Sequence, residues 1–115
     1  MILTYLGTAA AEGFPAVFCN CDYCNGARAL AGKNIGISIY TQEELDDIMA
    51  FHDQHNMQVA VHCIGDACLD MVLHSIEKAL AEHPRKDHRS GLVHVQITRP
   101  DQLAKMRDME LHAYV

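Results

Sequence analysis

The chain has 115 residues, half of them hydrophobic, and a formal net charge of −6. That much apolar material suffices for one small domain with a real core and argues against disorder. The acidic balance argues against a nucleic-acid partner and against an anionic membrane surface.

Residues 1–7 form a short apolar run that can make a strand. The same stretch lacks a basic n-region and a long apolar h-region, so no signal peptide is expected. No apolar run approaches the length of a membrane helix. Residues 9–13 are small, and Phe14-Pro15 breaks any regular element. Then Cys19, Cys21 and Cys24 crowd into a C-x-C-x-x-C cluster. Three thiolates this close can meet one tetrahedral zinc, although no fourth ligand is adjacent. The other reading is a reduced, solvent-facing cysteine loop. Five cysteines is an odd number, which points to thiols or metal rather than a disulfide framework, and to a cytoplasmic compartment.

The stretch LGTAAAEGFPAVFCNCDYCNGARALAGKNI resembles the N-terminus of metallo-β-lactamase-fold phosphodiesterases, which cleave cyclic ribose phosphates. The resemblance implies that Cys19, Cys21 and Cys24 hold a structural zinc. That family's HxHxDH motif is absent from the chain, so its phosphodiesterase activity is not implied.

Composition changes at residues 32–36, from small residues to charged, helical sequence. We place a seam there, between a Cys-rich N-terminal arm (1–35) and a βαβ segment (36–115). A short strand is expected at 37–40. Thr41 followed by Glu44 is a capping box. Leu45, Ile48, Met49 and His52 then fall on one helical face, running to about residue 56. His52 and His55, before the next strand, read as surface residues. Residues 57–66, MQVAVHCIGD, are the central strand, rich in β-branched residues and ended by Gly65. Asp66 sits where a helix N-cap belongs. Leu69, Val72, Leu73, Ile76 and Leu80 make a second helical stripe, which Pro84 brings to an end near His83. Residues 84–91 are polar and read as a solvated loop. Residues 92–96 alternate as a second strand, 98–101 turn into a short helix carrying Leu103 and Met106, and 110–115 are a third strand. Such alternation implies parallel strands with right-handed crossovers.

His62 and His94 fall on successive strands, each just before a turn. In α/β folds that carboxyl edge is where ligands bind. Parallel neighbours lie roughly 4.8 Å apart, so two imidazoles at one level can share a metal. Asp66 and Gln96 lie on the same edge. The alternative for each histidine is a satisfied core side chain.

The motifs YTQEEL, QVAVHCIGD, KDHR, VHVQ and RPDQL together resemble amidohydrolases of the family 3 type across residues 37–115. The resemblance implies a metal-dependent (β/α)8 barrel in which His62 and His94 are metal ligands on the fifth and sixth strands. It also implies hydrolysis of an amide or another C–N bond of a small-molecule substrate by metal-activated water. Asp66 is then the nearest carboxylate able to serve as base. Val93 stands where the family pattern has Glu, and the family's other ligand motifs are absent. A complete barrel takes about 250 residues. The expected fold is therefore α/β, a partial barrel-like parallel sheet with outer helices, preceded by the Cys-bearing arm. The expected function is a metal-dependent amidohydrolase-like chain, using zinc or another divalent metal, with low or no turnover alone. The competing class is a non-catalytic module with zinc at the cysteines, self-associating through exposed sheet edges.

Overall fold

The computed structural model describes residues 40–115 and, ahead of them, Asp22, Asn25, Gly26 and Ala29. The strand expected at 1–7 lies outside the described residues, as do Cys19, Cys21 and Cys24 and the first three residues of the strand expected at 37–40, whose last residue, Tyr40, is a bend. From Tyr40 onward the elements are α1 (Gln42–Gln54), β1 (Ala60–Cys63), α2 (Asp66–Glu82), β2 (Gly91–His94), α3 (Pro100–Asp108) and β3 (His112–Tyr114). The alternation expected from the sequence is present. The three strands are parallel in the order β1-β2-β3.

Helix α1 begins as the capping box requires. The Thr41 hydroxyl accepts the Glu44 amide N–H at 3.2 Å, and the Glu44 carboxylate accepts the Thr41 N–H at 2.9 Å. Its inner face carries Leu45, Met49 and also His52, which is buried. The surface reading of His52 is thus corrected: the periodicity that put it in line with Leu45 and Met49 outweighs its polarity. Its Nδ1 lies 2.7 Å from the Ile48 carbonyl oxygen, so its polar edge is met within the helix. His55 is exposed, as expected.

Helix α2 starts one residue differently from the expected cap. Gly65 is the N-cap, in extended conformation, and Asp66 is the first helical residue. Asp66 is fully buried, so its carboxylate is turned into the structure instead of capping the end. The stripe of Leu69, Val72, Leu73 and Ile76 is buried. It packs against Leu45 and Met49 of α1, Val61 of β1, Leu92 of β2 and Met106 of α3 in one hydrophobic cluster. Burying a side chain such as Leu73 contributes about 2 kcal/mol. Polar ties flank this packing: Gln42 Nε2 donates to Ser75 Oγ at 2.8 Å, and Lys78 Nζ lies 2.9 Å from Asp46 Oδ2. Hydrogen bonds from Ser75, Gln42 and Lys78 hold the Asp46 carboxyl well below the usual carboxylate range.

The segment 84–91 is less solvated than its composition suggests. His88 and Ser90 are buried. His88 Nδ1 accepts the Ser90 N–H at 3.1 Å, so its Nε2 donates to the Met109 carbonyl oxygen at 2.8 Å. Arg85 donates to Asp53 Oδ1 at 3.1 Å and to the Met57 carbonyl oxygen at 3.0 Å. This polar layer closes the amino ends of β1 and β2, opposite the edge where His62 and His94 lie. No helix among the described residues is long and apolar enough to cross a membrane.

Candidate functional site

Strand β1 alternates between half-buried and buried residues, which turns Val61 and Cys63 into the core and leaves Ala60 and His62 on the other side. Its register on β2 sets Val93 opposite His62 and His94 opposite Cys63. In a regular ladder His94 would share the face of Cys63, not that of His62. The backbone departs from the ladder at that point. His94 has φ 77° and Val95 φ 48°, both left-handed. Non-glycine residues seldom adopt this conformation, and a β-branched valine resists it most. The turn nevertheless stays tied to the end of β1. Val95 donates to the Cys63 carbonyl at 2.9 Å, and Ile97 donates to the Ile64 carbonyl at 3.0 Å. The outcome is that the rings of His62 and His94 meet edge to face, with centroids 4.3 Å apart and an interplanar angle of 76°.

Burial lowers the His62 imidazole below its ordinary value of 6.5, and the neighbouring His94 lowers it further. A neutral imidazole is the form that binds a metal. Two residues beyond His94, both polar atoms of the buried Gln96 amide lack a hydrogen-bond partner among the described residues. Buried amides are usually paired, and this one is an exception.

Asp66 lies at the start of α2, fully buried, with Arg99 Nη1 3.5 Å from its Oδ2. Arg99 was not among the residues singled out from the sequence, yet it organises this corner. Its Nη1 and Nη2 reach both Asp70 oxygens at 3.0 and 2.6 Å, and its Nε donates to Asp101 Oδ1 at 3.1 Å. The Arg99 guanidinium holds the Asp70 carboxyl below its usual range. Gln102, almost fully buried, donates to the Asp66 carbonyl at 2.8 Å and to Asp70 Oδ1 at 2.7 Å. The available signal was the R-P-D turn after the second strand, from which Arg99 reaches back to the first turns of α2. Among the sequence-expected residues, then, the structure brings His62 and His94 together and sets Asp66 against Arg99. Cys19, Cys21 and Cys24 are not described. Among the described residues no group of three or more His, Cys, Asp and Glu is placed to hold a metal.

One more pair lies at this turn. Cys63 Sγ and Cys68 Sγ are 3.4 Å apart, one at the end of β1 and the other in the first turn of α2. Their mutual hydrogen bond and burial raise the Cys63 thiol, and the same hydrogen bond lowers Cys68.

Comparison with known proteins returns a family model described as the amidohydrolase family, matched over residues 7–115. The match also crosses the compositional seam at 32–36. The chain is 29% identical to the protein LONG AFTER FAR-RED 3 of Arabidopsis thaliana over 83 residues, which is 72% of this chain and 14% of that protein. It is 36% identical to the putative amidohydrolase YtcJ of Bacillus subtilis (strain 168) over 63 residues, 54% of this chain and 11% of that protein. The aligned part is thus a small fraction of each relative's length. No solved structure matches. The chain belongs to the amidohydrolase family.

Proposed function

We propose, from that membership, that the chain supplies two imidazole ligands, His62 and His94, to the divalent-metal centre of a hydrolase acting on an amide or another C–N bond of a small molecule. The observation that supports this is the meeting of the two rings, 4.3 Å apart, at the carboxyl ends of adjacent parallel strands. The donor set fits such a centre. Imidazole nitrogen suits zinc and its neighbours in the first transition row, and desolvation, with His94 beside it, favours the neutral form of His62. A metal held there would polarise the scissile carbonyl and activate a water.

The chain's own residues do the rest in this reading. The left-handed turn at His94 orients its ring toward His62, so that both are set before any ligand arrives. Asp66 is assigned the proton of the attacking water, and Arg99 is the positioning residue that supplies its counter-charge. Two imidazoles fill half of a tetrahedral shell, and a catalytic zinc commonly takes three protein ligands. The β1-β2-β3 sheet is read as a part of a (β/α) barrel, whose other strands would bring further ligands. Ahead of it, Cys19, Cys21 and Cys24 are assigned a structural zinc in the N-terminal arm.

The test is a zinc titration of the chain carrying Cys19→Ser, Cys21→Ser and Cys24→Ser, so that only the histidine site remains to be read. We expect a weak site that either His62→Ala or His94→Ala removes, and hydrolysis of amide and ester probes at background with added zinc or manganese. Binding left unchanged by both histidine variants would refute the ligand assignment. Turnover abolished by His62→Ala would keep the site and refute the incompleteness.

A further inference from the structure

We infer that Cys63 and Cys68 form a dithiol that a hydroperoxide converts reversibly into a disulfide, a modification site at the turn between β1 and α2. The two sulfurs are already in contact at 3.4 Å and are buried together, at 1% and 5% exposure. A disulfide needs them at about 2.05 Å. The intervening turn can supply that approach. Gly65 caps α2 without any side-chain hydrogen bond, and in the first helical turn the ties from Arg99 and Gln102 go to Asp66, two residues ahead of Cys68. A movement there is transmitted, because the Cys63 carbonyl accepts the Val95 N–H from the left-handed turn after β2.

The two thiols take different parts. Cys68 is the less deeply buried and lies in the first turn of a helix, where backbone N–H groups favour a thiolate. Its sulfur attacks one oxygen of hydrogen peroxide; the O–O bond breaks, hydroxide leaves, and Cys68 becomes a sulfenic acid. The Cys63 sulfur then attacks the Cys68 sulfur. The S–O bond breaks, the departing hydroxide leaves as water with the Cys63 thiol proton, and the S–S bond forms. Two thiols and one peroxide give one disulfide and two waters, the thiols being oxidised and the peroxide reduced. Buried thiols are inert to bulky reagents, but peroxide is scarcely larger than water.

The experiment uses the intact chain under native conditions. Cleavage after Lys33 and Lys78 yields one peptide, residues 34–78, that contains Cys63 and Cys68 and no other cysteine. After hydrogen peroxide we expect that peptide to lose two hydrogens in mass and both alkylable thiols, and to regain them with dithiothreitol. In Cys63→Ser we expect Cys68 to stop at the sulfenic acid, captured by dimedone. Oxidised glutathione should leave the native peptide unchanged. Peptide 34–78 keeping both thiols after peroxide, or bridging instead to the peptide carrying Cys19, Cys21 and Cys24, would overturn the inference, and both results are read on the wild-type chain.

Discussion

The imidazole of His62 is where packing, charge and proposed chemistry meet. Burial and the neighbouring His94 press it below its ordinary 6.5. The folded chain therefore takes up a proton at that ring less readily than the unfolded chain does. The resulting stability is full above pH 6.5 and is lost as the pH falls below it toward the folded value. Asp70, lowered by the Arg99 hydrogen bonds, loses its contribution in the same direction but further into acid, below about 3.9. An NMR titration of the ring resonances should give His62 a midpoint under 6.5 in the metal-free chain. A midpoint at or above 6.5 would contradict the half-buried edge-to-face pair. That His62 and His94 belong together was legible from two histidines before two turns. How they meet was not. The run LVHVQ reads as uninterrupted strand, because valine favours extended backbone, whereas the left-handed conformation at His94 and Val95 is imposed by tertiary contacts. The burial of His88 and Asp66 was hidden in the same way, since their partners Met109 and Arg99 lie far off in the chain, whereas His52 finds its partner, the Ile48 carbonyl, within its own helix and was misread for its polarity alone.

At the scale of elements, the helices were the more legible. A capping box and an apolar stripe are local signals: α1 carries both, and α2 carries its stripe, although its cap falls on Gly65, one residue before the expected Asp66. The strands are shorter than the apolar runs that announced them, because a strand lasts only as long as its neighbour pairs with it. The β2–β3 pairing shows how close that contact is. A Cβ added at Gly91 would stand 2.5 Å from Tyr114 Cε2 and 2.7 Å from the His112 carbonyl oxygen. The tyrosine ring can turn away, but the carbonyl belongs to the paired strand and cannot. Gly91→Ala should therefore cost about 2 kcal/mol, the usual scale of overpacking. It should also raise amide exchange in β3 more than in β1. A urea midpoint equal to that of the wild type would show that the strands separate more freely than their register suggests. No feature of the sequence marked Gly91 as anything but the end of a loop; its role comes from His112, opposite it on the partner strand.

Taken whole, the described chain concentrates its apolar burial in one place. Every member of the hydrophobic cluster lies between Leu45 and Met106, with Tyr40 packed against its margin. The cluster draws on α1, β1, α2, β2 and α3, so it depends on the βαβ segment acting together. The compositional seam at residues 32–36 falls just ahead of that cluster, although the family match runs across it from residue 7. These two observations lead to opposite expectations for the arm. If residues 1–35 are an appendage, a chain beginning at Gly36 keeps the capping box, the whole cluster and the histidine pair, and unfolds in one cooperative transition. If the arm is an integral part of the family domain, its removal exposes apolar surface and the transition broadens or vanishes. The described cluster joins residues 45–106 across five elements of the βαβ segment, and on that cooperation we base the first outcome. We therefore expect the chain beginning at Gly36 to retain a cooperative urea transition, with a slope close to that of the full chain because the slope follows the surface exposed on unfolding. Loss of the transition would place the arm inside the core and the domain boundary elsewhere.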